Sequence, residues 1–133
     1  MEKRKKGSRR SQGLRIIRQM GGAEGARDFL GQIRALSPDF ERLVVEFLAG
    51  ELWSRPHLDL RTRSLCTIAA LAALGRPRGL AWNIQMAIGN GATREEVYEV
   101  LLHMAGYAGF PAAWEGLRVA HEVLEKRALT SSA

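Results

Sequence analysis

Apolar residues recur through most of this chain at intervals of three and four, the spacing that lines one side of an α-helix, and no segment keeps the period of two expected of a half-buried strand. The pattern is clearest after Thr93, where Val97, Val100, Leu101, Met104, Ala105 and Ala108 form one apolar line. Thr93 and Glu96 stand at the spacing of a capping box, in which each side chain accepts from the other residue's backbone N–H. A second start signal is Ser37-Pro38, a capping serine followed by a proline whose missing N–H costs nothing at the first helical position. It precedes a stripe of Phe40, Leu43, Val44, Phe47 and Leu48 that carries a helix to about residue 52. Asp59 is placed to cap the next helix, in which Leu65, Ile68, Ala69 and Ala72 recur, and Gly75-Arg76-Pro77 ends it. Residues 78–88 form a further helix closed by Gly89-Asn90-Gly91. Gly109 stops the helix that began at Thr93, and Pro111 opens the last one, with Ala112, Leu117, Ala120, Val123 and Leu124 on its core side. Ahead of Ser37 the signal weakens to two helices, 13–20 and 23–35, parted by Gly21-Gly22. The expected fold is all-α, a compact bundle of about six helices.

With 133 residues and 46% apolar content, the chain can bury the core of one domain. The helical pattern assigns that domain to residues 13–128, with a basic arm at 1–12 read as disordered and a flexible tail at 129–133. The formal charge of +6 suggests a nucleic-acid partner until it is located: residues 1–10 hold Lys3, Arg4, Lys5, Lys6, Arg9 and Arg10 against Glu2 alone. The body is nearly neutral and has no basic face interleaved with aromatics, which disfavours nucleic acid as a partner. Arg15 and Arg18 interrupt the segment after the basic start and argue against a signal peptide; no uncharged apolar run approaches about 20 residues, so no membrane span is expected. The single cysteine, Cys66, excludes an internal disulfide and offers no metal pattern. Set between Leu65 and Ile68 early in a helix, it reads as a buried, inert thiol, and the expected location is the cytoplasm. Apolar side chains outside any single stripe, such as Ile84, Met86 and Ile88, point to surface hidden between copies of the chain, a homo-oligomer.

Between Gly50 and His121 the chain carries four ordered motifs. They are Gly50-Glu51-Leu52-Trp53-Ser54-Arg55-Pro56, Leu58-Asp59-Leu60-Arg61-Thr62-Arg63-Ser64-Leu65, Asn90-Gly91-Ala92-Thr93-Arg94-Glu95-Glu96 and Tyr107-Ala108-Gly109-Phe110-Pro111-Ala112-Ala113. This block resembles the carboxymuconolactone decarboxylase family, within the alkylhydroperoxidase-like superfamily. The resemblance implies small helical subunits that assemble as a trimer or hexamer. It also implies removal of carbon dioxide from a small lactone or cyclic carboxylic acid, with no cofactor and no metal, because the conjugated lactone carbonyl accepts the electrons left behind. In the stretch Leu80-Ala81-Trp82-Asn83-Ile84-Gln85, close relatives usually place histidine where Asn83 stands; asparagine forms hydrogen bonds but does not shuttle a proton near neutral pH. The alkylhydroperoxidase branch uses a Cys-x-x-Cys pair, a histidine four residues on and an upstream glutamate; those positions fall here on Arg76, Gly79, Asn83 and near Ser64. None of the four matches, which excludes a thiol peroxidase.

Decarboxylation asks for a cation to orient carboxylates, a donor to polarise the lactone oxygen and an acid to protonate carbon. Glu99, His103 and Tyr107 are spaced four apart and form a row on one helix, where the carboxylate can orient the imidazole. His103 is the leading proton-transfer candidate, the alternative being a surface or interface histidine, and Glu51 is a second acid or base or an exposed helix-end carboxylate. Arg55, in a loop, and Arg63, on a helix, offer the planar fork that grips a carboxylate; alternatively Arg55 fixes its loop and Arg63 pairs with a neighbouring helix. Asn83, Trp53 and Tyr107 complete the candidate substrate-binding set, with core or interface packing as the alternative for Trp53. His57 and His121 have no partner at metal-ligand spacing. The functional expectation is a cofactor-independent decarboxylase. A relative recruited to another lyase or isomerase tailoring step and a non-catalytic oligomeric binding protein stand as alternatives.

Overall fold

Helices begin where the sequence carries its capping signals. The computed structural model describes residues 6–131, with side-chain surroundings for residues 9–126. Among the described residues there is no strand. The elements are α1 (Lys6–Leu36), α2 (Pro38–Leu43) continuing into a π-helical stretch (Val44–Leu52), α3 (Leu60–Leu74), α4 (Pro77–Gly89), α5 (Arg94–Tyr107) and α6 (Phe110–Ser131). The all-α expectation holds. Contacts group these elements into two compact units, one ending at Asp59 and one beginning at Leu60.

In the first unit, Ser37 Oγ accepts from the Phe40 N–H at 3.1 Å, with Pro38 opening α2 as expected. α1 breaks at Gly22 (φ 74°, ψ 170°), inside the glycine pair read as a helix boundary. Its buried side chains, Ile16, Ile17, Met20 and Ala26, fall at helical spacing, and α1 packs on α2 and the π stretch, where Val44, Val45 and Ala49 are buried. The approach is closest at two glycines. A Cβ on Gly13 would lie 1.9 Å from the Val45 carbonyl oxygen, and one on Gly50 would lie 2.3 Å from that of Arg9. Only residues without a side chain let these backbones meet.

The π register is explicit where Trp53 N–H donates to Leu48 O, five residues back, at 2.9 Å. An ordinary helix was expected here, because apolar periodicity over nine residues does not separate the two. Of the stripe Phe40, Leu43, Val44, Phe47 and Leu48, only Val44 is buried. Val45 supplies the other core contact, so the buried face is rotated away from Phe40, Leu43 and Phe47. The helix also starts earlier than read: α1 runs from Lys6, within the segment assigned to an arm. Arg9 and Arg10 find carboxylates at Glu51 (3.3 Å) and Glu41 (2.9 Å), and Gly13 rests on Val45, contacts that a composition-based reading of a basic tail does not contain. Residues 1–5 of that expected arm lie outside the described residues.

The second unit is built on Ile68 and Ala72 of α3, Leu80 and Ile84 of α4, Val97 and Leu101 of α5, and Val119, Ala120 and Leu124 of α6. Each fully buried Ile or Leu here contributes about 1.5–3 kcal/mol relative to exposure. α3 and α4 end in the same way: Gly75 (φ 68°) and Gly91 (φ 96°) turn the chain, and Arg76 N and Ala92 N reach back to Leu71 O (3.0 Å) and Ala87 O (2.9 Å). The capping box of α5 is present, with Glu96 N donating to Thr93 Oγ1 (3.1 Å) and Thr93 N to Glu96 Oε1 (2.9 Å). The same carboxylate accepts from Arg61 Nε at 3.2 Å, so it also joins the start of α3 to the start of α5. Cys66, expected to be buried, is exposed. Ser64, Ile68 and Ala72 face the core at intervals of four, which puts residue 66 on the other side of α3. α6 continues to Ser131, through the first residues of the expected tail, and residues 132–133 lie outside the described residues. No helix among the described residues is long and apolar enough to cross a membrane.

Candidate functional site

In the first unit, Glu51 lies in the π stretch and Trp53 and Arg55 in the turn that follows. Ser54 holds that turn: its Oγ donates to the carbonyls of Gly50 (2.8 Å) and Glu51 (3.2 Å), which the helix end leaves open. Arg55 N–H returns to Leu52 O at 3.3 Å, Trp53 is half-buried, and the Arg55 side chain is exposed. Glu51 is ion-paired with Arg9, so proton transfer at Glu51 requires that pair to open. π segments widen the helix and are frequent at functional sites, which fits a binding turn placed directly after one.

In the second unit, Arg63 is half-buried on α3, and its carbonyl accepts from Thr67 Oγ1 at 3.0 Å. Asn83 is half-buried on α4, and its Nδ2 donates to Gly79 O at 2.8 Å. His103 and Tyr107 sit together on α5, with ring centroids 5.0 Å apart and planes tilted by 32°. Both are exposed. Glu99, expected to orient the imidazole, forms no ion pair with it among the described residues; the contact His103 makes is with Tyr107. An exposed glutamate one turn away gains little from pairing and stays solvated, whereas two rings offset against each other keep contact. Glu51, Trp53 and Arg55 thus follow one another along one segment of the first unit and His103 meets Tyr107 in the second, while Arg63 and Asn83 stand on separate helices of the second unit.

Sequence reasoning missed two buried polar groups. Glu41, on α2 just past Phe40, is 3% exposed and is held by Arg34 Nε and Nη2 at 3.2 and 3.1 Å and by Arg10 Nη2 at 2.9 Å, the last as an ion pair without hydrogen-bond alignment. The signal available was an acid beside an apolar stripe with arginines ahead of it. In the second unit, buried Ser64 accepts from Asn90 Nδ2 at 2.8 Å, and Asn90 Oδ1 and the Tyr98 hydroxyl are buried with no partner among the described residues. Such atoms ask for a water or a ligand atom. The chain gave no sign of this, since Asn90 reads fully as a helix-closing residue. No group of three or more His, Cys, Asp or Glu among the described residues is arranged to hold a metal ion.

The model of the carboxymuconolactone decarboxylase family matches residues 38–122. The chain belongs to that family. A 4-carboxymuconolactone decarboxylase from Acinetobacter baylyi is 38% identical over 117 residues, covering 88% of this chain and 87% of the relative. A nitrosuccinic acid decarboxylase from Metarhizium robertsii is 28% identical over 113 residues, covering 85% and 79%. An uncharacterised 15.0 kDa protein from Paracoccus denitrificans is 30% identical over 122 residues, covering 82% and 90%. The resemblance read from the block Gly50 to His121 is thus membership of the carboxymuconolactone decarboxylase family, and the matched stretch contains all seven candidate residues: Glu51, Trp53, Arg55, Arg63, Asn83, His103 and Tyr107.

Proposed function

We propose that the protein is a cofactor-independent decarboxylase of a small lactone or cyclic carboxylic acid. What supports this most is similarity along nearly the whole of both chains to a relative named 4-carboxymuconolactone decarboxylase. In the proposed reaction the bond to the departing carboxylate breaks, its electron pair passes into the conjugated lactone carbonyl, and a proton is delivered to carbon. In the second unit His103 delivers that proton, Arg63 grips a carboxylate, and Asn83 and Tyr107 offer hydrogen bonds. In the first unit Arg55 offers the same fork, Trp53 an apolar wall and Glu51 a second acid or base.

A second reading, decarboxylation or a related tailoring step on a different small acid, is favoured by Asn83 and by the nitrosuccinic acid decarboxylase among the relatives. We propose further that the chain works in the cytoplasm as a homo-oligomer. Tyr107, Phe110 and Trp114 in the second unit and Phe40, Leu43 and Phe47 in the first are exposed in a single chain, and apolar surface of that extent is ordinarily covered.

The test is release of carbon dioxide from 4-carboxymuconolactone by the purified protein. Turnover that His103→Ala removes supports the first reading. Turnover only on another acid supports the second, no carbon dioxide from any lactone or cyclic acid tried overturns the first, and no conversion of any small acid tried, open-chain acids included, overturns both.

A further inference from the structure

The first unit holds a second chemistry-bearing feature. Arg10 and Arg18 on α1 ahead of its break at Gly22, Arg27 and Arg34 beyond it, and Glu41 of α2 line a cavity of about 530 Å³ with Ala26 in its wall. The volume is that of a small-molecule site. Arg10 and Arg18 are eight residues apart and Arg27 and Arg34 seven, two helical turns in each case, so each half of α1 presents a pair from one face. Four cations face one anion, leaving the lining with a net charge of +3. The Glu41 carboxylate is taken up by Arg10 and Arg34, whereas Arg18 and Arg27 form no ion pair or side-chain hydrogen bond among the described residues.

Four guanidinium groups around a single carboxylate give the hollow an excess of positive charge that favours anions, and the guanidinium fork matches carboxylate and phosphate oxygens two at a time. All four arginines precede Pro38, where the family model begins to match, and none of them is among the candidates for decarboxylation. We propose that the cavity binds a small polyanion carrying two or three negative charges on carboxylate or phosphate groups. Arg18 and Arg27 are its principal contacts, and Arg10 and Arg34, already oriented by Glu41, complete the site. The assignment is independent of the decarboxylase reading.

Isothermal titration of the full-length protein at low ionic strength, with citrate and with inorganic pyrophosphate as separate probes, tests it. Saturable binding of either probe is expected, weakened about tenfold or more in the double variant Arg18→Ala/Arg27→Ala, whose exposed positions leave circular dichroism and melting temperature unchanged. Binding of citrate alone assigns a carboxylate ligand, and binding of pyrophosphate alone a phosphate ligand. Arg78→Ala, an exposed arginine on α4, serves as the charge control and should bind as the parent does. Absence of saturable binding of both probes, undiminished affinity in the double variant, or an equal loss in Arg78→Ala would overturn the proposal.

Discussion

Asn83 Nδ2 donates to the carbonyl oxygen of Gly79, 2.8 Å away and one turn back along α4. The side chain at the position where the family resemblance implies histidine is therefore committed to its own helix.

A histidine at that position restores a proton carrier. If the position serves proton transfer, Asn83→His should raise carbon dioxide release from 4-carboxymuconolactone about tenfold or more, within the roughly 10²–10⁴-fold that a positioned acid or base supplies. The back-bond itself carries little stability, so Asn83→Ala should change unfolding free energy by less than about 1 kcal/mol. An unaltered rate in Asn83→His would assign the position to packing or binding.

His103 and Tyr107 are exposed, and their rings are in contact. His103→Ala should therefore lower kcat by about 10²–10⁴-fold while moving stability by no more than about 0.5 kcal/mol. Tyr107→Phe keeps the ring contact but removes the hydroxyl offered to the substrate and should lower the rate in part, whereas Tyr107→Ala loses both and should lower it further. A stability loss matching the loss of activity in His103→Ala would argue against a chemical role.

The meeting of α1 with the π stretch is a steric prediction. Gly13→Ala or Gly50→Ala pushes a methyl group into a carbonyl and should cost more than about 2 kcal/mol in chemical denaturation. Gly25→Ala, with nothing within 4 Å of the added atom, is the contrast and should stabilise by about 0.4–1 kcal/mol.

Glu96 serves the cap and Arg61 at once. Glu96→Gln preserves the capping geometry and should lose less than about 1 kcal/mol, while Glu96→Ala should lose about 1–2 kcal/mol. The loss in Glu96→Gln, measured with and without Arg61→Ala, isolates the ion-pair part, and the difference between Gln and Ala gives the cap.

The exposed Phe47 carries a prediction about assembly. If homo-oligomers cover Phe40, Leu43 and Phe47, Phe47→Glu should lower the mass seen by light scattering and leave the helical content of the chain in place. An unchanged mass would move the interface elsewhere.

What was legible in the chain was local. Ser37-Pro38, the Thr93–Glu96 box and the turns at Gly75 and Gly91 depend on residues within a few positions of one another, and the structure carries each of them. The family block was equally legible, since its motifs are runs of sequence. What escaped depends on partners far along the chain. Glu41 is buried because Arg10, 31 residues earlier, meets it, and Glu51 is paired because Arg9 does the same across 42 residues. The i→i+5 register of Val44–Leu52 runs for too few residues to be told from an α-helical period, and Cys66 was misjudged because the phase of α3 is set by polar Ser64, which an apolar count passes over. His103 beside Tyr107 followed from spacing alone, but the direction of the Asn83 amide did not.

The crossing of Gly13 and Gly50 separates two notions of where this protein starts. The stretch matched by the family model begins at residue 38, whereas the backbone lying against Val45 and Gly50 comes from Arg9 to Gly13. A chain trimmed to the matched stretch would keep every candidate for the chemistry and lose the wall on which the π stretch rests. The stretch that carries the family motifs is shorter than the stretch that has to fold together.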